Sequence, residues 1–313
     1  MRDAAVHPSG IRKNQKWIKQ VLFALTPSLA LFIALNILAH GEVKQVLLNR
    51  FILFNGYYEK TDLPDLDFVW QPNLRGKWHE YFAIKIDTNE QGFRSRPFSP
   101  RENALRIMLL GDSIAFGVFI DREFILSNRI EVKLKEQNLD AQVFNLGMPA
   151  YDMAHYAAAY RQYSNSLDPN IVLLQMEAGD FDAPPFYTIP SKYIEIFPLA
   201  IWLYERYVLS REPDQYHFRI NGLRFFHEMV SDCRKNGRRL IILFFPYLDK
   251  DFQPGDDMKV VIDSGVEYID VQQLFSQVSQ NHVVFRARPN DTIHPNSGGM
   301  EIVASAVAKR IAD

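Results

Sequence analysis

The sequence predicts an α/β protein: a parallel sheet with helices on both faces, preceded by an N-terminal transmembrane helix and a small β-rich lead-in. Three observations carry this reading. After Ala104, short and almost continuously apolar runs alternate with segments of helical period, the pattern of strands covered by helices on both faces. Residues 21–39 run without a charge over a length that matches one bilayer crossing. Between the two, residues 40–103 lose regular period and are punctuated by turn residues.

Composition narrows the function classes. With 47% hydrophobic residues and a net charge of −2, the chain has the makings of a core and no bulk attraction to nucleic acid. Its 313 residues allow one large domain plus attachments. The single cysteine, Cys233, excludes an internal disulfide and reads as a small core residue in a helical pattern.

Taken in order, residues 1–20 carry Arg2, Arg12, Lys13, Lys16 and Lys19 and read as a cytoplasmic basic tail. The span from Val21 to Ala39 is longer than a signal-peptide core, and Ile37 stands where a cleavage site wants a small residue, so a retained anchor is expected. Positive charge stays on the cytoplasmic side, which places the rest of the chain outside. In the lead-in, residues 43–58 suit a short helix or strand, residues 61–67 a turn-rich connector, and residues 82–87 alternate as a half-exposed strand before the turn at 89–92. Residues 94–97 and 100–101 read as a solvated linker. In residues 104–313 strands are expected at 105–110, 142–145, 171–175, 240–245 and 267–269. Helices are expected at 122–137, 153–163, 222–235 and 297–311. The aromatic-rich segment 183–210 interrupts the sheet and reads as a helix packed on the core, with a lid or acyl-chain groove as the alternative.

Two short motifs carry chemistry. Gly111-Asp112-Ser113 follows the first apolar strand, where a serine hydroxyl is raised to the carboxyl edge of the sheet and its N–H lies near a helix start. Alone, Ser113 reads equally as an N-cap. Some 180 residues on, Asp291-Thr292-Ile293-His294 places a carboxylate and an imidazole in one loop before the last helix. The imidazole can take the serine proton while the carboxylate fixes its tautomer. Glu177, Asp180 and Asp182 read as acidic loop residues, not as metal ligands, since no His or Cys joins them. Neither a cofactor nor a metal is called for.

With these residues the sequence resembles the SGNH hydrolases, the GDSL esterase/lipase superfamily. Their blocks match Gly111-Asp112-Ser113, the glycine of Asn145-Leu146-Gly147, and Asp291-Thr292-Ile293-His294, in the family's order over about residues 104–313. The resemblance implies a flavodoxin-like three-layer fold with Ser113 as nucleophile, His294 as base and Asp291 as its orienter. It also implies an oxyanion hole from the N–H groups of Ser113 and Gly147. The family's third block, Gly-x-Asn-Asp, is here Glu177-Ala178-Gly179-Asp180, so the asparagine donor is absent and Gly179 has only its backbone N–H to offer. The stretch Thr88-Asn89-Glu90-Gln91-Gly92-Phe93-Arg94 is similar to one that precedes the Gly-Asp-Ser block in bacterial membrane-anchored SGNH proteins, some of which work with membrane-bound O-acyltransferases.

Three functions fit: an esterase removing acetyl or another acyl group from an envelope glycan or lipid, a transferase handing the group to a sugar hydroxyl beside a membrane partner, or a non-catalytic scaffold. The expected location is the bacterial inner membrane, single-pass, with the catalytic domain on the periplasmic or extracellular side. No nucleic-acid partner is expected.

Overall fold

The computed structural model describes residues 31–35, 57–61, 63, 66, 68–182, 215–249 and 255–313. The expected tail, most of the span from Val21 to Ala39, and the segment 183–210 lie outside the described residues. Among the described residues no helix is long and apolar enough to cross a membrane. The chain divides into two compact units, residues 1–52 with 188–213 and residues 53–187 with 214–313. In the first, residues 31–35 are helical and exposed.

The second unit is built on five parallel strands: β5 (Leu105–Leu110), β6 (Ala141–Asn145), β7 (Ile171–Glu177), β8 (Arg239–Phe245) and β9 (Glu267–Asp270). They lie in the order β6-β5-β7-β8-β9. That is the flavodoxin-like order, which reverses direction between β5 and β7 and opens a crevice at their carboxyl ends. Alternate residues of each strand feed two cores. Met108, Leu110, Phe144, Leu174 and Phe244 face one side with Tyr156, Phe226 and Met229. Ile107, Leu109, Val143, Leu173 and Leu243 face the other with Ile130, Val303 and Phe275. The first side is covered by α3 (Met153–Leu167), α4 (Gln215–Lys235) and α5 (Gly255–Asp263). The second is covered by α2 (Leu126–Glu136), α6 (Val271–Val278) and α7 (Ser297–Ala312). A single turn, α1 (Ser113–Phe116), follows β5.

The structure departs from the sequence expectations in two of its helical stretches, whereas the lead-in is β-rich as expected. The helix expected over 122–137 splits into a 3-10 turn, Arg122–Phe124, and α2, because Ile125 between them is extended. Helices α5 and α6 were not anticipated: each is under ten residues, and α6 starts directly from the strand with Asp270 capping the Gln273 N–H. The lead-in forms two antiparallel hairpins, β1 (Tyr58–Lys60) with β2 (Phe68–Trp70) and β3 (Lys77–His79) with β4 (Ile84–Ile86). Trp70, Phe82, Ile86 and Phe93 share one core with Phe116 and Phe144, so the boundary near residue 104 is one of pattern, not of compactness.

Candidate active site

Strand register sets the site. Leu109 pairs with Asn145 and Leu110 with Leu174, which carries the turn 111–117 to the carboxyl edge between β6 and β7. Three elements pin that turn. From β7 the fully buried Gln175 accepts the Asp112 N–H at 2.9 Å through Oε1. From β6 Asn145 donates through Nδ2 to the Ala115 carbonyl at 2.8 Å. From the lead-in Arg94 donates to the carbonyls of Gly117 at 2.7 Å and Ile120 at 2.9 Å. Arg94 is 1% exposed, which corrects the reading of residues 94–97 as a solvated linker. Ser95 is buried beside it and accepts the Asn145 N–H. Burial, followed by the charge of Arg122, lowers the Arg94 guanidinium to about 10, and it stays charged at neutral pH.

The structure brings Ser113, Asp291 and His294 together across 181 residues of sequence separation. His294 Nε2 lies 2.8 Å from Ser113 Oγ, and His294 Nδ1 lies 2.8 Å from Asp291 Oδ2. The other carboxylate oxygen of Asp291 accepts the N–H groups of Ile293 and His294, both at 2.9 Å, so the loop fixes the carboxylate before it meets the ring. Burial pushes the Asp291 carboxyl up, but the hydrogen bond and charge of His294 outweigh it and hold the group below its ordinary value. An ionised Asp291 assigns the imidazole proton to Nδ1 and leaves Nε2 as an acceptor for the serine hydroxyl.

The expected oxyanion donors fare differently. Among the described residues the Ser113 N–H has no partner. With α1 only one turn long, this uncommitted N–H and not a helix dipole is what the turn supplies. Gly147 sits where a Cβ would come within 2.6 Å of Ala115, so only glycine allows the approach, but its N–H is donated to Asn145 Oδ1 at 2.9 Å. The Gly179 N–H is donated to Asp257 Oδ2 at 2.7 Å. Of the three N–H groups expected at the oxyanion hole, those of Gly147 and Gly179 are thus bonded to an amide and a carboxylate oxygen respectively.

The acidic residues also regroup. Asp182 pairs with Arg219 at 3.0 Å, while Glu177 and Asp180 come together with Asp112. Carboxylate oxygens of Asp112, Glu177 and Asp180 lie within 4.8 Å of one another and could together hold a cation. Burial, then mutual repulsion, raises Glu177 and Asp180 well above their ordinary values, and burial raises Asp112. Protons shared among the three satisfy the same chemistry without an ion. Glu177 Oε2 is enclosed with no hydrogen-bond partner among the described residues.

Arg94, Gln175 and Asn145 are the residues sequence reasoning missed. The only signal for them was the stretch ending in Arg94 and the polar Gln175 in an otherwise apolar strand.

Neither a protein-family profile nor a curated protein matches the sequence. Among solved structures, the chain is similar to a two-domain esterase, CEX, active on acetylated mannans and co-crystallised with mannopentaose. Identity is 15% and TM-score 0.47 over 67% of this chain, and the match spans 49% of that protein. Axe2, an acetylxylan esterase from Geobacillus stearothermophilus, is 15% identical with TM-score 0.44, covering 68% of this chain and 97% of that one. LAE5, an alpha/beta hydrolase enzyme from the metagenome of Lake Arreo, Spain, is 18% identical with TM-score 0.43, covering 69% and 99%.

Proposed function

We propose that this protein is a serine-dependent esterase that removes acetyl or another small acyl group from a glycan. The observation that carries the reading is the unbroken Ser113–His294–Asp291 chain of 2.8 Å hydrogen bonds at the carboxyl edge of the sheet. Ser113 Oγ attacks the ester carbonyl while His294 Nε2 takes its proton. The tetrahedral oxyanion falls to the Ser113 N–H, the donor left uncommitted. Collapse breaks the bond to the sugar oxygen, which leaves with the proton from His294. Water, deprotonated by the same nitrogen, then attacks acyl-Ser113 and restores the serine.

The apolar span from Val21 to Ala39 and its basic flank support a single-pass anchor with this site outside the cytoplasm. Transfer to a sugar hydroxyl would use the same acyl-enzyme, with the sugar in place of water. Purified protein incubated with 4-nitrophenyl acetate should release nitrophenol, and Ser113→Ala should abolish the release. Equal rates in both proteins would reject the reading in favour of a non-catalytic scaffold.

A further inference from the structure

The rings beside His294 form a wall that the chemistry above does not use. Phe119 meets the imidazole edge-on at 5.4 Å and is itself only half-buried. Its φ of 62° is a left-handed backbone that a bulky side chain adopts only when the surroundings impose it. Tyr81, from the turn between β3 and β4 and 40% exposed, lies 5.9 Å from Phe119. Across both rings lies Arg288, its guanidinium 3.9 Å from the centre of Phe119 and 5.5 Å from that of Tyr81. Arg288 Nη2 donates to the Tyr81 carbonyl, and among the described residues no carboxylate pairs with this cation. Two residues earlier, Arg286 is matched by Asp249 at 2.6 Å.

We propose that Tyr81, Phe119 and Arg288 form the subsite for the sugar next to the acylated hydroxyl, and that this sugar carries a carboxylate. The inference rests on the esterase reading and adds a substrate class to it. An exposed phenol ring suits the apolar C–H face of a pyranose. A guanidinium held over a ring by cation–π contact and tied by Nη2 to a carbonyl has fewer orientations open to its remaining N–H groups, and a guanidinium can meet a carboxylate in two parallel bonds. A neutral sugar would leave the charge unmatched. A lipid chain would lay hydrocarbon against it. The wall is one ring away from His294, so a sugar resting on it brings a neighbouring ester within reach of Ser113.

The test is calorimetric titration of full-length Ser113→Ala protein, in detergent, with a short galacturonate oligomer and a neutral xylo-oligomer of equal length. The galacturonate should bind more tightly by roughly 10- to 100-fold, as expected for charge-assisted hydrogen bonds. Its affinity should fall with added salt. Arg288→Gln should erase the preference, while Arg288→Lys, which keeps the charge and loses the fork, should retain part of it. Equal affinity for the two oligomers, a preference that survives Arg288→Gln, or Arg288-dependent binding of phosphatidylglycerol micelles without binding of galacturonate would overturn the proposal. Because no turnover is read, a failure here is separate from failure of the esterase reading, which the nitrophenyl ester assay decides.

Discussion

At the scale of single residues, Asp291 holds the imidazole of His294 with its proton on Nδ1. In Asp291→Asn the amide would donate toward Nδ1 and force the other tautomer, so kcat on 4-nitrophenyl acetate should fall by roughly 10³–10⁴-fold with little change in fold. Glu177 offers a prediction of opposite kind. Its carboxyl, and that of Asp180, are raised in the folded protein by burial and by neighbouring carboxyls, above their values in the unfolded chain. The folded state therefore binds more protons across the interval between the two values. The stabilisation is fully present below the ordinary carboxylate range and is lost as pH rises through the raised folded values. Asp291, held low, acts in reverse at acid pH, adding stability above its ordinary value and losing it as pH falls through its folded value. Urea unfolding across pH should show Glu177→Gln flattening the decline on the neutral side. An unchanged pH profile would mean that Glu177 is ionised in the fold.

At the scale of elements, the turn that carries Ser113 depends on groups from three neighbours. Arg94→Met keeps much of the bulk but deletes the donors to Gly117 and Ile120, leaving the buried Ile120 carbonyl unpaired while the Gly117 carbonyl keeps only the longer bond from the Ile120 N–H. A loss of about 2–4 kcal/mol in urea unfolding is expected, with esterase rate falling more than KM rises as the turn loosens. The loop after β7 bears on the missing asparagine. Gly179 has φ 101°, outside the range asparagine tolerates, and its N–H is tied to Asp257. Gly179→Asn should therefore destabilise by about 1–2 kcal/mol and fail to raise activity. An increase in rate would show that the loop can rearrange around a side-chain donor.

The same elements show what could be read in advance. Strands β5 and β8 were legible nearly to the residue because continuous apolar runs bounded by turn residues have few other readings. The pairing of Ser113 with His294 was legible from motif and order, not from any local pattern. The commitment of the Gly147 and Gly179 N–H groups was not, since it depends on where the Asn145 and Asp257 side chains turn in space. Arg94 escaped for a related reason. An arginine among turn residues has the same local signature whether solvent or backbone carbonyls satisfy it, and only the fold decides.

At the scale of the whole molecule, the lead-in packs into the same unit as the proposed catalytic residues. Its hairpins share a core with the sheet, its Arg94 holds the turn that carries Ser113, and its Tyr81 stands on the wall beside His294. Removing residues 57–103 should therefore unfold the unit, read by loss of the cooperative thermal transition, and not yield a smaller active domain. The proposed topology has its own check: protease added to spheroplasts should digest residues beyond about position 41, and full protection until lysis would reverse the orientation. The central claim, that Ser113 carries the acyl group, is tested most directly by intact-protein mass spectrometry after brief acid quench with an activated acetyl ester. The expected result is a gain of one acetyl group located on Ser113, discharged by water or by an added sugar. An unacetylated Ser113, or the same adduct in Ser113→Ala, would contradict it.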